Sequence, residues 1–170
     1  MKKLLFTLSM LLICLVATAK EFEVVNGKAT YVKEEGAVSV SFDWKGAKWD
    51  NKTDLKEHLA GEYEKYKSEG KKAFIEGFNK KAKKLNASDN AKDAKFKITV
   101  KVISLDKYYN VMTLVPGNKH KITAEITVTE NGNEICKMKS DELEGDRDFS
   151  IFDSYTKAMN ALGEHVAKGK

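Results

Sequence analysis

Three stretches of this chain alternate strictly between apolar and polar side chains, and this period of two constrains the fold more than any other feature. Val38, Val40, Phe42 and Trp44 alternate with Ser39, Ser41 and Asp43. Phe96, Ile98, Val100 and Val102 alternate with Lys97, Thr99 and Lys101, and Ile122, Ala124, Ile126 and Val128 alternate with threonines and Glu125. Successive side chains of a strand point to opposite faces, so each stretch reads as a strand with one buried and one solvated face. A sheet of such strands needs cover on one side only.

The cover is written between them. Leu55, Leu59, Tyr63, Tyr66, Gly70, Phe74, Phe78, Ala82 and Leu85 form one apolar stripe at helical spacing. Unbroken, that helix would run about 33 residues, roughly 50 Å, longer than a small sheet can cover. Thr53 is its expected N-cap, and Ser68-Glu69-Gly70 its expected kink, because the stripe keeps its phase there. A second helix carries Phe152, Tyr155, Met159, Leu162 and Val166 on one face.

Two turn signals complete the pattern. Asn26-Gly27 separates β-prone residues 22–25 from residues 29–32 and predicts a hairpin. An odd-length loop at Glu130-Asn131-Gly132, with a glycine bulge, would place Cys136 and Met138 on the Ile126 face, whereas a two-residue loop would place Lys137 there. Burial favours the former. The expected fold is α+β: an antiparallel sheet of about six short strands with one long and one C-terminal helix packed on one face.

The chain opens MKKLLFTLSMLLICLVATAKEF. Lys2 and Lys3, the apolar run 4–16 and the Ala17-Thr18-Ala19 site predict a signal peptide over 1–19 and a single domain over 20–170. The run falls short of the about 20 residues that span a bilayer, so no transmembrane segment is expected after cleavage. Cys14 follows Ile13, where a lipobox takes a small residue, so lipidation is not expected. The expectation is an exported protein, periplasmic or secreted.

Without Lys2 and Lys3, 28 basic residues face 25 acidic ones, a net charge of about +3. Arg147 is the only arginine. Nucleic-acid binding needs a concentrated basic patch and favours arginine, so no nucleic-acid partner is expected. Cys136 would be the one remaining cysteine, which leaves the fold to stand on its core. A domain of about 150 residues buries roughly 68–70% of its unfolded surface, which suffices.

Chemistry is sparse. His58, His120 and His165 share no metal-ligand spacing and read as solvated or cap-adjacent side chains. Cys136 reads as core packing. The nucleophile elbow and the phosphate-cradling glycine loops are absent from the sequence. No catalytic residue, metal or cofactor is therefore expected. Two alternatives stay open. Asp146, Arg147, Asp148 and Asp153, near the 145–153 loop, could join a histidine in an enzyme site assembled from dispersed residues; as plain structure they are acids favoured at a helix start, with Arg147 pairing to hold it. KKAFIEGFNKKAKK, residues 71–84, is basic and amphipathic and could lie on an anionic membrane.

The stretch YYNVMTLVPGNKHK, residues 108–121, falls between two strand-like runs where a short polar turn would be ordinary. A 105–119 loop of this length and apolarity reads as a binding surface for a protein or small-molecule partner in the envelope, with Tyr108, Tyr109, Met112 and Leu114 as contact residues. Equally, it could fold onto the core, or form a short edge strand with Pro116-Gly117 as a turn.

The last third also carries a likeness. A strand pair around an Asn-Gly turn precedes Gly145-Asp146-Arg147, and the helix then places Tyr155, Ala158, Leu162, Gly163, Ala167 and Lys168. This pattern resembles small exported bacterial proteins of unknown function. It is similar also to envelope lipoproteins that act as auxiliary components of transport systems. The resemblance implies a non-enzymatic envelope protein.

Overall fold

The computed structural model of the chain describes residues 21–89, 91–110 and 117–170. The expected signal peptide lies outside them. Eight strands form one mixed sheet under a layer of helices: β1 (Phe22–Gly27), β2 (Gly36–Asp43), β3 (Lys48–Trp49), β4 (Thr53–Asp54), β5 (Leu85–Ser88), β6 (Phe96–Asn110), β7 (Gly117–Glu130) and β8 (Asn133–Glu144). The helices are α1 (Leu55–Leu59), α2 (Tyr63–Lys81) and α3 (Ile151–Lys168).

The strand order is β1-β8-β7-β6-β2-β5. β6, β7 and β8 form an antiparallel meander, and β1 joins its outer side antiparallel to β8. The other half departs from the expected antiparallel sheet. β2 pairs parallel with both β5 and β6, because α1 and α2 carry the chain back across the sheet between β2 and β5. β3 continues the edge that β2 vacates, pairing parallel with β6 at Ser104 and Leu105.

All three alternating stretches take the faces their period dictates. Val38, Val40, Phe96, Ile98, Val100, Val102, Ile122, Ala124, Ile126 and Val128 are each at most 1% exposed. On the open face, Asp43, Lys101, Glu125 and Lys139 lie in cross-strand register, so unlike charges adjoin. Cys136 and Met138 do face the core, paired with Val128 and Ile126. The device differs from the one expected. The turn has two residues, Asn131 and Gly132, both with positive φ, and the parity change comes from a bulge at Ile135.

Residues 29–32 are not a strand. Thr30–Lys33 is a 3₁₀ turn that drops Tyr31 fully into the core, where its hydroxyl donates to the Val166 carbonyl. Lys28 N instead bonds to Ile135 O, so the chain leaves Asn26-Gly27 still alongside β8 rather than reversing onto itself. One buried ring outweighs the local hairpin preference.

The long helix breaks earlier than expected. Asp54, one residue past Thr53, caps α1 by accepting from Lys56 N and Glu57 N at 2.9 and 3.4 Å. The chain turns at Ala60, with φ of 44°, and α2 then continues as one helix through Gly70. Gly70 makes room: a Cβ there would lie 1.9 Å from the Tyr155 hydroxyl, which donates to Tyr66 O at 2.7 Å. Leu85 belongs to β5, not to the helix. Phe74 and Phe78 are fully buried, so the basic stretch 71–84 turns its apolar face to the protein core.

α2 and α3 touch backbone to backbone. A Cβ on Gly77 would lie 2.0 Å from Asn160 O, and one on Gly163 would lie 2.1 Å from Phe74 O. Replacing a helix-interior glycine by alanine ordinarily stabilises by about 1 kcal/mol. At Gly77 or Gly163 we predict the opposite sign, a loss of about 2–4 kcal/mol, because the helices must separate. Urea unfolding of Gly77→Ala and Gly163→Ala checks this; unchanged or raised midpoints would refute the close contact.

Candidate functional site

β5 leaves part of its neighbour β2 unpaired. β5 ends at Ser88, opposite Ser39, while β2 continues to Asp43 with β6 alone as its neighbour among the described residues. α2 overhangs this uncovered stretch, and a groove of about 590 Å³ lies between them. That is within the size range of small-molecule sites. Phe42, Trp44 and Ile75 give it an apolar lining. The Phe42 and Trp44 rings stack, 5.6 Å apart and 19° from parallel, and Phe74 meets Phe42 edge-on at 5.4 Å. Packing therefore fixes the orientation of the Phe42 ring from two sides.

Ion pairs form the rim. Lys67 pairs with Glu64 at 3.0 Å and Lys71 with Asp89 at 2.6 Å. Exposed pairs of this kind are worth little, so either partner can turn to a ligand at small cost. The arrangement suits a molecule with one flat apolar face and polar edges. The sequence marks Phe42 and Trp44 as the inward face of a strand; β2 ends at Asp43, one residue before Trp44, and nothing local says that β5 stops short of them.

The expected contact loop is mostly strand. The β6–β7 ladder runs out to Asn110 opposite Gly117, so residues 105–110 and 117–119 are paired. Tyr108 is half-buried there; its hydroxyl donates to Glu144 Oε1 at 3.1 Å, and Lys121 Nζ stands 5.5 Å from its ring centre. Glu144 also pairs with Lys119. Burial opposes ionisation of Glu144, yet the bonds from Lys119 and Tyr108 hold its carboxyl below the usual range. Tyr108 thus anchors a cross-strand cluster. Tyr109 sits opposite Asn118 in the same ladder. Met112 and Leu114 lie outside the described residues. The large exposed apolar side chains nearby are Phe149 and Ile151, which sequence reasoning did not single out.

The 145–153 segment behaves as a helix start. Ser150 caps α3, accepting from Asp153 N at 3.2 Å, and Asp148 pairs with Lys157 at 2.8 Å. The bonds from Lys157 and from Ser150 N hold the Asp148 carboxyl below its ordinary range. The histidines disperse. His58 stacks on Trp49 at 4.2 Å, and His165 lies beside Phe22 with its Nδ1 2.9 Å from Lys170 O.

His120 departs from the solvated side chain that was expected. It is fully buried, with Nδ1 2.7 Å from Ser154 Oγ and the rings of Trp49 and Tyr155 edge-on to it. The Ser154 hydroxyl donates to Ile151 O at 2.8 Å and so receives its second bond from a protonated Nδ1. Nε2 is left as a buried acceptor with no partner among the described residues. This serine–histidine pair has nucleophile-and-base distances but the wrong polarity and no path to solvent. Its chemistry is structural.

No protein-family model matches the chain, and no curated protein matches it. Among solved structures it is similar to the PelC dodecamer from Paraburkholderia phytofirmans, at 9% identity and a TM-score of 0.46, over 85% of this chain and 97% of that one. A PelC point-variant dodecamer from the same organism, in another crystal form, gives 9% identity and 0.45 over 86% and 98%. Both scores are too low to carry over a site, and the groove stands on its own residues.

Burial, aided by the charge of Lys107 and opposed by that of Asp50, lowers the His120 pKa from 6.5 to about 4. Between those values the unfolded chain holds a proton at this residue that the folded chain does not. Stability therefore falls as pH drops from 6.5 towards 4, by about 3 kcal/mol from this residue. We predict a flatter dependence in His120→Gln over that window, read from denaturant midpoints at each pH. An identical slope in both proteins would refute the assignment.

Proposed function

We propose that this chain is an exported, non-enzymatic binding module that holds its ligand in the groove between β2 and α2. The observation that carries the reading is the uncovered end of β2, where Phe42, Trp44 and Ile75 form an apolar bed under a rim of ion pairs. The chemistry-bearing side chains support a non-catalytic role. Cys136 is 1% exposed and burial pushes its thiol pKa up, which makes it unreactive. His120 and Ser154 are sealed, and Asp148 is occupied by Lys157. Export rests on the N-terminal sequence, and no helix among the described residues is long and apolar enough to cross a membrane. The partner is a small molecule, or a segment of another protein, that offers an apolar face.

Native mass spectrometry of the protein purified from its own source tests this reading. The expected result is an added mass that survives in Tyr108→Ser and is lost in Ile75→Glu, with both variants keeping the wild-type circular dichroism at the temperature of the measurement. Loss in Tyr108→Ser alone would move the site to the β6–β7 end. Retention in both would remove the groove as the seat of binding.

A further inference from the structure

The far end of α2 carries a different concavity. It has a volume of about 550 Å³, and six lysines line it: Lys33, Lys81, Lys83, Lys84, Lys168 and Lys170. They arrive from four places, namely the 3₁₀ turn Thr30–Lys33, the end of α2, the connection to β5 and the end of α3. Val32 and Ala167 give it an apolar wall. The two helices finish side by side, so their carbonyl ends help to seat the cations.

Two carboxylates answer these charges. Glu35 pairs with Lys84 at 2.5 Å, and Glu164 lies 3.6 Å from Lys81 and 3.7 Å from Lys168 while bonding more closely to Lys80. Lys33, Lys83 and Lys170 have no carboxylate partner among the described residues, and all three side chains are exposed. The result is an excess of cations around one hollow, where six lysines from four segments face two carboxylates. Lysine is a point charge without the fork geometry of arginine, so six of them select for charge density rather than for one bidentate shape.

We propose that this hollow binds clustered phosphate groups, carried either by a soluble polyphosphate or by the headgroups of an anionic bilayer. The phosphates would lie among Lys33, Lys83 and Lys170, and Val32 and Ala167 would contact whatever carries them. This site is separate from the groove of Phe42 and Trp44, and either can fail without the other.

Two probes separate the sources. Tripolyphosphate binding is measured by calorimetry, and vesicle binding by flotation with phosphatidylglycerol vesicles against phosphatidylcholine vesicles. Tripolyphosphate binding marks a soluble anion as the ligand; flotation with phosphatidylglycerol alone marks the bilayer. In either case the affinity should fall at least about tenfold as salt rises from about 0.05 M to about 0.5 M. It should fall by a similar factor in the double variant Lys83→Glu with Lys170→Glu. A control pair of equal charge change on the open sheet face, Lys97→Glu with Lys137→Glu, should keep it. Binding of neither probe overturns the proposal, and so does equal loss in both variants, which would reduce the effect to net charge.

Discussion

The approach of α2 to α3 sets the geometry on which the rest of the structure depends. Gly77 and Gly163 let each helix meet the other's main chain, and Asn160 fastens the crossing by donating to Ala73 O at 3.2 Å. Only a pair this close fits as one layer over a narrow sheet. α3 lies over β7 and β8, and α2 reaches β5. Gly70 extends the contact by admitting Tyr155, whose ring then packs on Tyr66 at 4.7 Å and edge-on to His120 at 5.9 Å. The burial of His120 therefore follows from the helix crossing as much as from its own strand. Without the tight crossing, Tyr155 would stand off and the imidazole would meet water.

The sheet accommodates this layer through its irregularities. A shift between Val102 and Ser104 in β6, an extra residue at Asp141–Glu142 in β8 opposite Ile122 and Ala124, and the bulge at Ile135 each change which residues face inward. Ser140 stitches the middle one, accepting from Ala124 N at 3.0 Å and donating to Ile122 O at 3.2 Å. A buried serine there is fully satisfied and costs little. Past that shift, Leu143 replaces a residue of the opposite parity in the core, opposite Ile122. Strand twist and bulge thus carry one continuous apolar face under two helices.

What the sequence makes legible is periodicity, and what it conceals is partnership. The alternation at residues 38–44, 96–102 and 122–128 gives every inward side chain correctly, because a one-residue slip would expose the whole set. The helix stripe likewise identifies Phe74 and Phe78. Neither pattern says which strand lies beside which, so the parallel pairing of β2 with β5 and β6 is invisible. β5 itself is four residues, Leu-Asn-Ala-Ser, too short to show a period. Tyr31 misleads for a related reason: its neighbours suit a strand, but a carbonyl on α3, 135 residues away, decides its place. The tyrosine stretch at 108–110 misleads in the other direction, since its aromatic residues continue a ladder rather than decorate a loop.

The same economy explains where binding surfaces arise. Asn79 holds β5 in place by bonding both the N–H and the carbonyl of Ala87, at 2.7 and 2.9 Å, and so ties the short strand to α2. That clamp covers the sheet edge as far as Ser88 and no farther. On one side of it, the uncovered part of β2 leaves the aromatic groove. On the other, α2 ends beside α3, and lysines that favour helix C-termini accumulate from segments far apart in the chain. The two hollows have separate causes. A longer β5 would pair with Val40 to Asp43 and close the groove, yet leave the lysine end untouched. The aromatic groove is therefore set by strand length and the basic hollow by helix length, which is why neither can be read from a local motif.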